Sequence, residues 1–269
     1  GTPVEVTVRA SGGGEGAPTA TGSVTLTENG TTIDTADLAD GTAGLDVPTA
    51  SSAVGTRTFT VSYSGDGEHA ATTATYTLKV LKGTIDLEVS ADTRAYGTPG
   101  SVVVTAGPDA DGGLVYALSD GQLLGGGAVA GGEATISLAG TGLSPGEHAI
   151  EVFYGGNQLV EPADATVSHV VTKAVSSLQA TASPTPLKVK KTSAKVTVTV
   201  STKGFEATGG RVTVKAGATT VGTGTLEDGR VRVTLRPFTK TGTKKLTVTW
   251  AGNDLATGST GSVTVKVVR

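Results

Sequence analysis

Cysteine is absent from the 269 residues, so neither a disulfide framework nor a thiolate-ligated metal site is open to this chain. The absence is neutral about compartment, because secreted proteins without disulfides are common. Methionine is absent too, which leads to the expectation of a processed product or a piece of a longer polypeptide. No apolar run approaches the ~20 residues that span a bilayer, and no signal-peptide or C-terminal anchor pattern is read in these residues. Only three histidines occur, His69, His148 and His169, at different places in the chain. No nucleophile-elbow pattern or ordered triad accompanies them, so catalysis is not expected. His169 falls in an inward-facing row, where a buried neutral imidazole or a local register shift is the plain reading. Aromatics are 4% and charged residues 17%, which leaves Gly, Thr, Val and Ala to set the character of the chain. That profile suits β-sheets with many glycine turns.

What is present is a repeat. Gly55–Asp66 reads GTRTFTVSYSGD, Gly146–Asn157 reads GEHAIEVFYGGN, and Gly242–Asn253 reads GTKKLTVTWAGN. In each copy an aromatic (Tyr63, Tyr154, Trp250) lies eight residues after the leading glycine. An apolar strand then ends at Val80, Val171 or Val267, seventeen residues past the aromatic. The spacing predicts three domains, at 1–81, 82–173 and 174–269, each near the size of an immunoglobulin-like sandwich. Phe59–Val61, Ile150–Val152 and Leu246–Val248 precede the aromatics on one face, so the rings are expected to plug the core ends.

Within the first repeat, Val4, Val6 and Val8 alternate with Glu5, Thr7 and Arg9, the period of a half-buried strand. Asn29-Gly30 suits a tight hairpin because both residues tolerate positive φ, and Asp40-Gly41 makes the next turn. Asn29 also fits a glycosylation sequon, which is read only as that turn. Asp120-Gly121 and Asp228-Gly229 are turns of the later repeats. No 3.6-residue periodicity persists, so the chain is all-β. The second and third repeats carry extra leading strands, Ile85-Leu87-Val89 and Leu178-Ala180-Ala182. The first begins at Gly1-Thr2-Pro3, which aligns with Gly97-Thr98-Pro99, and so lacks that strand. Such an open sheet edge is a liability, and the strand is expected to be trimmed, disordered or supplied from elsewhere. The linkers, Leu81-Lys82-Gly83 and Lys173-Ala174-Val175, are short enough to predict end-to-end stacking as a semi-rigid rod.

Charge is unevenly divided. The first repeat has three basic against nine acidic residues and the second three against eleven, whereas the third has fifteen against four, a net +11. Strand alternation directs Lys195, Arg230 and Arg232 outward, and in an immunoglobulin-like sandwich their two strands would be neighbours in one sheet, so that the charges share a face. Lys188, Lys190 and Lys191 come just before them, and Arg236 and Lys240 just after. Arg211, Lys215 and Lys245 are outward on the other sheet. This surface is expected to contact an anionic cell-envelope polymer or glycan, with the acidic face of a neighbouring subunit as the alternative. Nucleic acid is disfavoured, since no aromatics interleave with the charges for base stacking. Asp109 and Asp111 resemble half of an oxygen-rich calcium loop but lack the downstream bidentate glutamate. No other cofactor is expected.

The glycine-led strands (Gly22-Ser23-Val24, Gly113-Leu114-Val115, Gly210-Arg211-Val212) and Tyr63-Ser64-Gly65-Asp66 resemble bacterial Ig-like (Big-type) tandem repeats. Those are modules of secreted and surface proteins, and the Gly, Ala and Thr-rich composition looks actinobacterial. The third repeat departs at the motif, with Trp250-Ala251-Gly252-Asn253. The resemblance implies three tandem Ig-like β-sandwiches, no catalytic residues and an extracellular or cell-surface location. The leading functional reading is a non-catalytic structural or adhesive protein, a spacer with a basic binding module. One alternative is the accessory region of a larger secreted hydrolase such as a nuclease or phosphatase, with Arg269 as its natural end. The other is a self-assembling surface-layer or filament subunit, the open edge being completed by a strand of another chain.

Overall fold

The computed structural model describes residues 4–12, 14, 16–48 and 54–269. Gly1–Pro3, on which the alignment of the first repeat's start rests, lie outside them. Among the described residues the protein is all-β, with one 3-10 turn at Pro108–Ala110 and no α-helix. Each repeat folds as two facing sheets, giving tandem Ig-like β-sandwiches.

In the first repeat the strands are β1 (Val4–Arg9), β2 (Ser23–Glu28), β3 (Thr31–Asp37), β4 (Thr42–Val47), β5 (Gly55–Tyr63) and β6 (Thr72–Val80). They form a sheet β1-β4 and a sheet β3-β2-β5-β6. Asn29 and Gly30 take φ of 48° and 81°, as the hairpin between β2 and β3 requires.

The second repeat contains β7 (Glu88–Ala91), β8 (Arg94–Ala95), β9 (Gly100–Thr105), β10 (Leu114–Ser119), β11 (Gln122–Ala128), β12 (Glu133–Leu138), β13 (Gly146–Tyr154) and β14 (Ala163–Thr172). Its sheets are β12-β9-β7 and β11-β10-β13-β14-β8. The third contains β15 (Ser177–Ser183), β16 (Leu187–Lys188), β17 (Lys195–Ser201), β18 (Arg211–Ala216), β19 (Thr219–Thr225), β20 (Arg230–Thr234), β21 (Gly242–Gly252) and β22 (Thr257–Val268). Its sheets are β15-β17-β20 and β16-β22-β21-β18-β19. The chain divides into two compact units, one of residues 1–84 with 158–161 and one of 85–157 with 162–269.

The leading segments of the second and third repeats each change sheets. β7 and β15 run antiparallel to β9 and β17, and the chain then crosses so that β8 and β16 lie parallel to β14 and β22. This switch has no counterpart in the sequence reading, because two-residue strands leave no periodicity. Within the described residues of the first repeat, β1 pairs only with β4.

The repeat aromatics do plug the core. Tyr154 and Trp250 are essentially buried and Tyr63 nearly so, each ending an inward row that includes Phe59, Ile150 or Leu246. Each hands its polar atom to a loop carbonyl: Tyr63 Oη–H donates to Thr21 at 2.7 Å, Tyr154 Oη–H to Ala110 at 3.0 Å, and Trp250 Nε1–H to Gly209 at 3.0 Å. The glycine leading the partner strand is a packing requirement. A Cβ at Gly113 or Gly210 would run into the ring of Tyr154 or Trp250.

Candidate functional site

The shared core leaves one outer face of each sandwich free to differ. In the first repeat that face is a grid of hydroxyls. Cross-strand register gives the rows Thr35–Thr25–Ser62–Thr73 and Thr32–Thr27–Thr60–Thr75, followed by Thr58–Thr77. Threonine suits a solvated pleated face, and paired threonines stabilise one another across strands. In the second repeat the positions of Thr25 and Ser62 are held by Tyr116 and Phe153, a registered pair 41% and 42% exposed, with Leu114 beside them. Sequence reasoning missed this patch. Its signal was available in the outward parity of Phe153 beside inward Tyr154. The third repeat replaces these groups with Thr213 and Thr249, flanked by Arg211 and Lys215.

On the third repeat, β17 and β20 are neighbours in register Thr197↔Arg232 and Thr199↔Arg230, with Lys195 diagonal to Arg232. Lys195, Arg230 and Arg232 are all exposed. These three share one face, as alternation predicts.

A second cluster lies at one end of the sandwich. Lys190 N–H donates to Phe238 C=O at 2.9 Å, which brings the Lys188–Lys191 turn against the segment carrying Arg236 and Lys240. Arg236, Phe238, Lys240, Lys244 and Lys245 line an open cleft of about 500 Å³ there. Lys244 was missed by the sequence reading because its strand parity turns it away from the face of Lys245. Lys215, at the cleft end of β18, stands near this group. Arg211 lies four residues away along the same strand, ~13 Å off, and does not join it.

None of the third repeat's cations takes part in an ion pair among the described residues, where the pairs are Arg57–Glu28 and His69–Asp66. With acidic partners scarce, these charges remain available to a polyanion, and their mutual repulsion is relieved only by counterions or a ligand.

The acid of the repeat motif is a turn organiser. Asp66 Oδ1 accepts from the N–H groups of Glu68 (2.9 Å) and His69 (2.7 Å), while Oδ2 accepts from Thr21 N–H at 2.7 Å. The Thr21 and Glu68 backbone N–H groups hold its carboxyl far below the usual carboxylate range. Asn253 Oδ1 makes the same turn with Leu255 and Ala256, but its Nδ2 donates to Thr208 C=O at 2.9 Å. Asn157 Nδ2 likewise donates to Asp109 C=O at 2.8 Å and Asp111 C=O at 3.1 Å. Acid or amide is therefore chosen by whether the loop ahead presents an N–H or a carbonyl.

Exchanging the two should destabilise despite equal size. Asp66→Asn turns a donor toward Thr21 N–H, and Asn253→Asp turns an acceptor toward Thr208 C=O. Thermal melts of both variants are expected to show lower midpoints for the altered repeat, and unchanged melts would contradict this reading. The stability due to Asp66 is present above the unfolded carboxylate pKa near ~4 and is lost as pH falls below it. The Asn variant should lack that dependence.

Asp111, a candidate calcium ligand with Asp109, has its carboxylate occupied by the N–H groups of Gly132 (2.7 Å) and Gly131 (3.1 Å). No group of three or more potential ligands forms among the described residues. His169 is fully buried and its Nε2 accepts from Arg94 Nε–H at 3.1 Å. Burial first, then the adjacent Arg94 charge, pushes its pKa down and keeps the ring neutral. Arg94 also donates to the carbonyls of Thr98 (2.8 Å) and Gly140 (2.7 Å), tying two loops together.

No curated protein matches the chain. Among solved structures, it is similar to the fibronectin(III)-like modules of Clostridium thermocellum CbhA, at 16% identity over 67% of this chain and 94% of that one, with a TM-score of 0.29. It is also similar to the BSP domain of a biofilm associated protein, at 14% identity over 80% of this chain and 43% of that one, with a TM-score of 0.29. Likeness of that size carries nothing about function. The sequence of residues 1–81 matches the family described as bacterial Ig-like domain (group 3).

Proposed function

We propose that this protein is a non-catalytic extracellular structural or adhesive protein, a spacer or cell-surface binding module whose third repeat contacts an anionic envelope polymer. The observation that carries the reading is the concentration of unpaired cations on that repeat: Lys195, Arg230 and Arg232 on one sheet face, and Arg236, Lys240, Lys244 and Lys245 around the end cleft. An acidic glycan or a phosphate-bearing wall polymer supplies the complementary charge. The hydroxyl grid of the first repeat carries no such field.

The test is co-sedimentation of the full chain with purified bacterial cell wall, before and after extraction of its anionic polymers. Binding is expected only to the unextracted wall. It should drop at least ~10-fold when Lys195, Arg230, Arg232, Lys240, Lys244 and Lys245 are all changed to Glu. Equal binding by the two proteins, or equal binding to extracted wall, would overturn it.

A further inference from the structure

Two sheets of this chain present outer faces of opposite and unmixed charge. The strands β11, β10, β13 and β14 of the second repeat contain no lysine or arginine, and their acids, Glu147, Glu151 and Asp164, are all exposed. Arg94, on the two-residue β8 of the same sheet, is buried and bonded to His169. The strands β15, β17 and β20 of the third repeat contain no aspartate or glutamate, and their cations are the exposed Lys195, Arg230 and Arg232. None of these six charges takes part in an ion pair among the described residues.

The acidic face also holds the exposed ring pair. Asp164 is the registered neighbour of Phe153 on β14, and Glu151 lies two residues along β13, ~7 Å away on the same side. On β11 the neighbour of Tyr116 is Gly126, where a Cβ would stand 3.0 Å from Cδ1 of the ring. The Tyr116 ring therefore leans over that glycine, away from Phe153, and the pair spreads into a broad apolar surface bordered by carboxylates. A ring face beside an anion is the environment that suits a guanidinium. The chain makes this combination once internally, where the Arg57 guanidinium lies 4.8 Å from the Phe59 ring centroid and 2.7 Å from Glu28.

The basic face has a matching spacing. Arg230 and Arg232 are two residues apart on β20, ~7 Å along the strand, and Lys195 is diagonal to Arg232. The cross-strand neighbours of the arginines are Thr199 and Thr197, short enough to leave both guanidinium groups standing above the sheet.

We propose that the Tyr116–Phe153 face of the second repeat is a docking surface for one occupant: the Lys195–Arg230–Arg232 face of a second copy of this chain. Arg230 and Arg232 reach the rings and the Glu151 and Asp164 carboxylates together. Charge complementarity sets the pairing, and the rings supply apolar area of the kind that arginine-rich interfaces use. Both faces are exposed within one chain, so the contact is between copies. It joins two different surfaces, so each added copy still offers a free face, and assembly proceeds to a ring or a filament.

The test is sedimentation of the full chain as its concentration rises. The average mass should grow at ~50 mM salt and return to that of one chain at ~500 mM. Tyr116→Thr with Phe153→Thr installs the residues that the third repeat carries there, Thr213 and Thr249, and should weaken association at least ~10-fold. Glu151→Lys with Asp164→Lys should leave the chain monomeric, and so should Lys195→Glu with Arg230→Glu and Arg232→Glu. An equimolar mixture of those two variants should associate again, because each keeps the native face that the other needs.

A wild-type chain that stays monomeric to ~1 mM at low salt would overturn the proposal. So would association unchanged in the threonine variant, or a mixture that remains monomeric. A monomeric chain that binds an arginine-rich peptide or a neutral oligosaccharide at Phe153 would overturn the second copy as occupant. The polymer-binding reading fails separately, because the threonine variant keeps every cation and should bind wall polymer as the wild type does.

Discussion

Trp250→Ala is expected to cost the third repeat about 4 kcal/mol, the upper range for deleting a buried aromatic side chain. The indole is fully buried and ends the inward row of Leu246 and Val248. The void would have little to collapse into it, because the wall facing the ring is the backbone of Gly210, which has no side chain to move. The Gly209 carbonyl would also lose its donor. A cost of this size is a large part of the 5–15 kcal/mol that stabilises an ordinary domain. Urea denaturation followed by far-UV circular dichroism should show the third repeat unfolding well before the others. Trp250→Tyr, which installs the residue used by the other two repeats, should cost about 1–2 kcal/mol. A loss below ~1 kcal/mol for the alanine variant would show that the ring is not a core plug.

The second large effect is expected at the buried Arg94–His169 pair. Arg94→Ala would remove the donor to His169 Nε2 and to two loop carbonyls at once. Breaking such a buried polar group by removing one partner costs about 3 kcal/mol. Changing both residues to the pair used by the third repeat, Arg94→Leu with His169→Val, should recover most of that loss. The recovery would be incomplete only to the extent that the Thr98 carbonyl stays without its donor, since the Gly140 carbonyl keeps the Gly97 N–H at 2.9 Å.

A pH dependence follows from the same site. The folded-state pKa of His169 is lowered, so the unfolded chain binds the proton more readily. Stability of the second repeat should fall as pH drops through the unfolded value near ~6.5 toward the depressed folded one. The double variant should lack that slope. Chemical denaturation at several pH values measures it, and identical slopes in both proteins would contradict the assignment.

The sandwich plan was readable in the sequence because it is written in local terms. Alternation along Val4–Arg9, the glycine-led strands and the Asn29-Gly30 hairpin all act within a few residues. The inward direction of the repeat aromatics and the outward direction of Lys195, Arg230 and Arg232 follow from the same period of two. What escaped depends on distant partners. His169 reads as buried from its row, yet its arginine is 75 residues away. Lys244 and Phe238 come together only in the fold, where both line the same cleft. The choice of Asp66 or Asn253 becomes intelligible once the loop group opposite each is known. The short strands β8 and β16 carry no periodicity, so the switch between sheets came from the structure.

Polyanion affinity as a function of salt is the most direct measure of whether the third repeat's charges are there to be used. Soluble wall polymer titrated against the full chain should bind at least ~10-fold more weakly at 200 mM than at 50 mM salt, as counterion release by several contacts requires. The variant with Lys195, Arg230, Arg232, Lys240, Lys244 and Lys245 changed to Glu should show weak binding with little salt dependence. Affinity that is insensitive to salt, or the same slope in both proteins, would contradict the account.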